Sequence, residues 1–229
     1  MRLYILLICA LIIAVGITGC SNAANVPCEK QADDLDKEYE AIVKERSSDP
    51  KRVFTQFNAL KQKAERAVKN CPDSIKMHSI LSTSFMGLGK NSEALATAQK
   101  ALSINPESAD ANDLFGGALA VLNRFSEALP YIEKAVKLDP GNVHYQLNLC
   151  STYDMAKQYD KAIDSCSKLI SKKDDKVLGE ALYIRARAYQ ATGKKQEAAK
   201  DFEQAKALGV DLGEYYTPEH LGETQPIAK

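Results

Sequence analysis

One pattern returns along the chain at a nearly constant interval, and a period of this length leaves few folds open. SEALATAQKALSINP at residues 92–106 and SEALPYIEKAVKLDP at 126–140 share SEAL, KA and a closing Pro, 34 residues apart. DKAIDSCSKLISKKD at 160–174 and QEAAKDFEQAKALGV at 196–210 continue the series. Registers counted from Ile75 place small residues midway along each upstream segment, at Ser82, Gly116, Cys150 and Ala186. Three residues later come Phe85, Leu119, Tyr153 and Tyr189. Ala94, Ala128, Ala162 and Ala198 open the downstream segments, followed seven residues on by Ala101, Ala135, Leu169 and Ala205. Small side chains let two antiparallel helices approach closely, while large ones fill the space to the next pair.

These positions resemble the tetratricopeptide repeat, each unit a first and a second helix. The resemblance implies an all-α fold, a right-handed superhelix of antiparallel helix pairs forming a solenoid. Its units would fall at 75–108, 109–142, 143–178 and 179–212. Some residues depart from the pattern. The usual Trp near the start of the first helix is His78, Asn112, Gln146 and Leu182, and Arg185 replaces the apolar residue seen at Leu81, Phe115 and Leu149. The third unit lacks the closing Pro and runs two residues longer, which predicts a looser, charged connection through 171–176.

A further helix pair precedes these units at 28–74. Leu35, Tyr39, Ile42 and Val43 recur at helical spacing, as do Val53, Phe57, Leu60, Ala64, Ala67 and Val68. Ser47-Ser48-Asp49-Pro50 breaks between them, with Pro suited to a first helical turn. Such a pair would cap the solenoid end. The tail at 213–229 holds one short helix signal at Thr217-Pro218-Glu219, with Tyr215 and Tyr216 placed to fold over the last pair and disorder expected from Leu221 onward.

By the same resemblance, the first helices line a concave groove. The register places Thr83, Asp113, Leu114, Leu147, Asn148, Ser151, Asp154, Tyr183 and Arg187 there, beside Lys76, Met86, Asp110, Gly117 and Glu180. The carboxylate clamp of one subfamily is missing, because Ser79, Thr83 and Leu114 replace its Lys and Asn residues. Asn148 stands where family members hold a ligand backbone. The mixture of carboxylates with apolar residues suits an extended or helical protein segment of some basic character.

The first 20 residues, MRLYILLICALIIAVGITGC, carry one charge, Arg2, and an apolar run from Leu3 to Val15. That run has the length of a signal-peptide core and falls short of the roughly 18–20 apolar residues that span a bilayer. Ile17-Thr18-Gly19-Cys20 resembles a bacterial lipobox, which implies removal of 1–19 and lipidation of Cys20, with 20–27 as a tether. Ser21 then favours the outer membrane, facing the periplasm. An ordinary secretory signal is the other reading.

Cys28, Cys71, Cys150 and Cys166 would remain in an exported chain. The midpoint of 150 and 166 falls in the predicted turn at Lys157-Gln158-Tyr159, and that of 28 and 71 falls at Asp49-Pro50. Helical-hairpin geometry therefore favours Cys28–Cys71 and Cys150–Cys166, with four buried free thiols as the alternative. The other pairings would join hairpins several helix layers apart, beyond the ~7 Å reach of bridged Cα atoms.

Charge is balanced at 30 Lys and Arg against 30 Asp and Glu, which does not fit a strongly basic nucleic-acid binder. No phosphate loop, zinc spacing, Cys-x-x-Cys or nucleophile elbow occurs, and Gly116-Gly117 reads as helix packing. The expectation is a non-enzyme without cofactor or metal: an anchored protein-binding scaffold, serving assembly of an outer-membrane or pilus or secretion machine. The alternative is a regulatory subunit that activates a peptidoglycan enzyme.

Overall fold

The computed structural model describes residues 27–45, 49–172, 174 and 177–210. The expected lipidation at Cys20, the signal segment, most of the tether and the 213–229 tail lie outside them. Ten helices run in pairs among the described residues. They are α1 (Cys28–Glu45) with α2 (Pro50–Asn70), α3 (Ile75–Gly87) with α4 (Asn91–Ile104), α5 (Ala109–Val121) with α6 (Phe125–Leu138), α7 (Val143–Met155) with α8 (Tyr159–Ser171), and α9 (Leu178–Ala191) with α10 (Lys195–Ala207). Each helix packs on its sequence neighbours, and each first helix also meets the next first helix. The result is a solenoid whose inner face is built from α3, α5, α7 and α9.

Close approach within each pair rests on the small residues of the register. Ala94, Ala128, Ala162 and Ala198 are fully buried, as are Ser82, Cys150 and Ala186. Ser82 Oγ donates to the Ala94 carbonyl at 2.9 Å, joining the two close-contact positions of one pair. A Cβ on Gly116 would stand 2.5 Å from Ile132 Cγ1, so only glycine admits α6 there. In the N-terminal pair, Leu35, Ile42, Leu60, Ala64 and Ala67 form the core with Tyr39 and Phe57 against it. Val43, expected on that apolar face, is half exposed.

The polar substitutes for the family Trp bond to the backbone that leads into each first helix. Asn112 Nδ2 donates to the Pro106 and Ser108 carbonyls at 2.8 and 2.7 Å, and Gln146 Nε2 donates to the Pro140 carbonyl at 2.6 Å. His78 Nδ1 lies 2.9 Å from the Ser74 carbonyl. In the third connection Lys173, Asp175 and Lys176 lie outside the described residues, while Val177 closes it by burial.

Each of the four turns between paired helices from α3 to α10 places one residue in the left-handed region: Gly89 (φ 70°), Asn123 (59°), Lys157 (58°) and Gly193 (77°). The next amide then reaches back to close the helix, as Lys90 N does to Phe85 O at 2.8 Å and Gln158 N to Tyr153 O at 2.9 Å. Lys157 carries a Cβ that this conformation disfavours. Lys157→Gly is expected to stabilise the protein by about 0.5–1 kcal/mol, read as a higher urea midpoint. An unchanged or lower midpoint would contradict it.

Candidate functional site: the concave face

Side-chain caps fix where α3, α5 and α7 begin. Ser74 accepts from Met77 N at 3.4 Å, Ser108 from Ala111 N at 3.3 Å, and Asn142 from His144 N at 3.0 Å. With starts aligned, equivalent positions on successive first helices come side by side. Polar rungs cross between them on the inner face. Tyr145 on α7 donates its phenol to Asp110 on α5. One turn further, Asn148 Nδ2 donates to both oxygens of Asp113, at 3.0 and 2.9 Å. Arg187 on α9 reaches Asp154 on α7 at 3.1 Å, and Lys76 on α3 meets Asp33 and Asp36 on α1 at 2.7 and 3.0 Å.

A cavity of about 320 Å³ opens over α3, α5 and α7. Thr83, Asp113, Leu114, Asn148 and Ser151, all expected in the groove, line it together. Its apolar side comes from Met86, Gly117, Ala120, Val121 and Met155. Val121 and Met155 stand 45% and 38% exposed, large apolar side chains left facing solvent at the cavity rim.

The remaining groove residues go elsewhere. Asp154, Tyr183 and Arg187 form a second cluster, with Asp154 buried beneath Arg187 and the guanidinium 5.9 Å over the Tyr183 ring. Tyr183 in turn meets Phe202 edge-on. Leu147 is turned inward, packed with Cys150, Cys166, Leu169 and Val177, because its stretch of α7 faces α8 and α9. Asn148 spends its amide hydrogens on Asp113. The Gly116-Gly117 pair divides: Gly116 is a packing glycine, whereas a Cβ on Gly117 would meet nothing within 4 Å.

Burial is the main cause that pushes the Asp113 carboxyl up to about 6; Asp110 beside it adds to the rise and the Asn148 bond opposes it. A folded-state pKa above the ordinary value means the group supports folding below about pH 4. That support is lost as pH rises through 6. Asp113→Asn is therefore expected to match the parent near pH 4 and to exceed its stability at pH 7.5 by about 1–2 kcal/mol, allowing for partial solvent screening. Denaturant midpoints at the two pH values check this, and a difference independent of pH would contradict it.

Cys28 and Cys71 stand at disulfide distance with Cα atoms 5.9 Å apart, as do Cys150 and Cys166 at 5.4 Å. Among the described residues no group of three His, Cys, Asp or Glu is arranged to hold a metal ion.

Models of the tetratricopeptide repeat match residues 81–143, 119–183 and 179–208, together more than half of the chain. The chain is a tetratricopeptide-repeat protein. Solved structures share its fold. The type IV pilus biogenesis factor PilW is 19% identical at a TM-score of 0.67, covering 84% of this chain and 81% of its own. The tetratricopeptide protein TTC0263 of Thermus thermophilus is 18% identical at 0.64, covering 80% and 91%. MamA is 24% identical at 0.55, covering 69% and 92%.

Two features of this tetratricopeptide groove were beyond the family register. Val121 and Met155 lie one position past the groove positions carried over, at the last residue of their helices. The Tyr145–Asp110 bond joins a position outside that set to one inside it. A signal existed for the first feature: two large apolar residues at one register position, each just before a turn.

Proposed function

We propose that this chain is a lipid-anchored docking protein of the bacterial envelope. Its concave face holds a segment of a partner protein during assembly of an outer-membrane, pilus or secretion machine. The observation that carries the reading is the cavity over α3, α5 and α7, with an apolar rim and one carboxylate, Asp113, in its wall. A tetratricopeptide surface of this kind takes protein or peptide partners. The lipobox-like Ile17-Thr18-Gly19-Cys20 supports anchoring at Cys20, and Ser21 supports the outer membrane facing the periplasm. Residues 21–27 would then reach only about 25 Å, holding the solenoid near the lipid surface. The likeness to PilW, a type IV pilus biogenesis factor, favours the pilus or secretion branch.

A photoreactive residue at Tyr183, activated in cells, is expected to crosslink to a secretin or barrel protein, and deletion of the chain should impair that protein's assembly. Capture of a peptidoglycan enzyme whose rate changes with this chain would favour the regulatory-subunit reading instead. Cys20→Ala should move the chain out of the membrane fraction; retention there would defeat the anchor.

A further inference from the structure

Glycine in a helix interior is unfavourable unless something needs the space it leaves. Gly117 sits mid-way through the second half of α5, and no neighbour needs that space, since an added Cβ would meet nothing within 4 Å. The equivalent residues on the neighbouring first helices are Thr83, Ser151 and Arg187, so α5 alone presents bare backbone here. The bare site opens into the 320 Å³ cavity, between Leu114 and the exposed Val121 and Met155. That volume is at the small end for ligand pockets and suits one or two side chains.

One helical turn towards the start of α5 lies Asp113. Its carboxylate is half-buried, has Asp110 as a like-charged neighbour, and is bonded by an uncharged amide. No ion pair reaches it among the described residues. A desolvated negative charge without a counter-ion gains most from a cation brought by a ligand. Four residues along a helix span about 6 Å. Two residues along an extended strand span about 6.6 Å, with both side chains on one side. An extended segment lying along α5 thus puts residues i and i+2 over Asp113 and Gly117 at once.

We propose that the notch over Gly117 receives one bulky apolar side chain of an extended partner segment, and that Asp113 pairs with a basic side chain two residues away from it. The inference rests on the docking role given above and names the chemistry its partner must carry: a basic residue, any residue, then a large apolar one, in either chain direction.

The test uses the full-length chain and fluorescein-labelled, amidated peptides with glycine flanks, followed by anisotropy at pH 7.5. Lys-Ser-Phe or its reverse, Phe-Ser-Lys, is expected to bind at least tenfold more tightly than Glu-Ser-Phe and Lys-Ser-Ala. Gly117→Leu should reduce binding of the favoured peptide at least tenfold, while Gly117→Ala, whose Cβ has free space, should give a Tm at or above that of the parent. Asp113→Asn should erase the preference for Lys over Glu while keeping that for Phe over Ala. Equal binding of all the peptides, or tight binding that survives Gly117→Leu, would overturn the inference. Crosslinking from Tyr183 separates the two readings. Partner capture in cells that is untouched by Gly117→Leu defeats the inference and leaves the docking role standing. A parent chain that obeys the peptide rule but captures nothing in cells supports the inference and defeats the docking role.

Discussion

Asp201→Ala is expected to destabilise the protein by about 3 kcal/mol, the low end for breaking a buried pair, because it strands a partly buried guanidinium. Arg185 Nε and Nη2 donate to the two oxygens of Asp201 at 2.7 and 2.9 Å, and Nη1 donates to Ser167 Oγ at 3.0 Å on α8. The side chains are 18% and 5% exposed, so little water is available to replace the lost carboxylate. The same pair of register positions in the first unit holds Leu81 and Thr97, whose hydroxyl donates to Glu93 O at 2.8 Å. The double substitution Arg185→Leu with Asp201→Thr is accordingly expected to recover most of the loss, since no unpaired charge remains. Urea unfolding of parent, single and double variants measures both effects. A mild single variant, or a double as poor as the single, would show that the pair does not act as described.

Removing both Cys28 and Cys71 is expected to cost about 4 kcal/mol when the parent is oxidised, from the chain entropy of a 43-residue separation. The 16-residue separation of Cys150 and Cys166 gives about 3 kcal/mol by the same model. The larger loss should also be local. A solenoid is stabilised unit by unit through nearest-neighbour contacts, so α1 and α2 should open while α5 to α10 stay closed. Amide exchange of the Cys28→Ser, Cys71→Ser chain reads this directly. Unchanged protection in α1 and α2, or a thiol count of four on the denatured, non-reduced chain lacking residues 1–20, would exclude the crosslink.

Much of the fold was legible because stacking depends on residue size at fixed spacing. Ala94, Ala128, Ala162 and Ala198 needed no structure to be placed at contacts, and the hairpin midpoints put each cysteine beside its partner. The helix pairs emerge where the period put them. Arg185 was visible as an exception, but its meaning was not. Its partner Asp201 lies 16 residues away on the other helix, and a single exposed-looking Asp carries no sign of burial. The groove was half legible for a related reason. Register tells which positions face inward, yet not which inward side chains bond one another. Leu147 and Asn148 are adjacent, and the structure turns one into the core and ties the other to Asp113. The register set Gly116 at a close contact and Gly117 in the groove, but only the three-dimensional surroundings show that Ile132 crowds one and nothing crowds the other.

The cross-links between neighbouring first helices are unevenly distributed. Side-chain hydrogen bonds or ion pairs join α1 to α3, α5 to α7 and α7 to α9, whereas among the described residues none joins α3 to α5. The seam between α3 and α5 is closed instead by apolar packing, with Ile75 and Met86 of α3 against the cluster that holds Ala111, Leu114 and Ala118 of α5. That seam carries no charge pair to screen among the described residues, so salt that weakens the Arg187–Asp154 and Lys76–Asp33 ties leaves it unaffected.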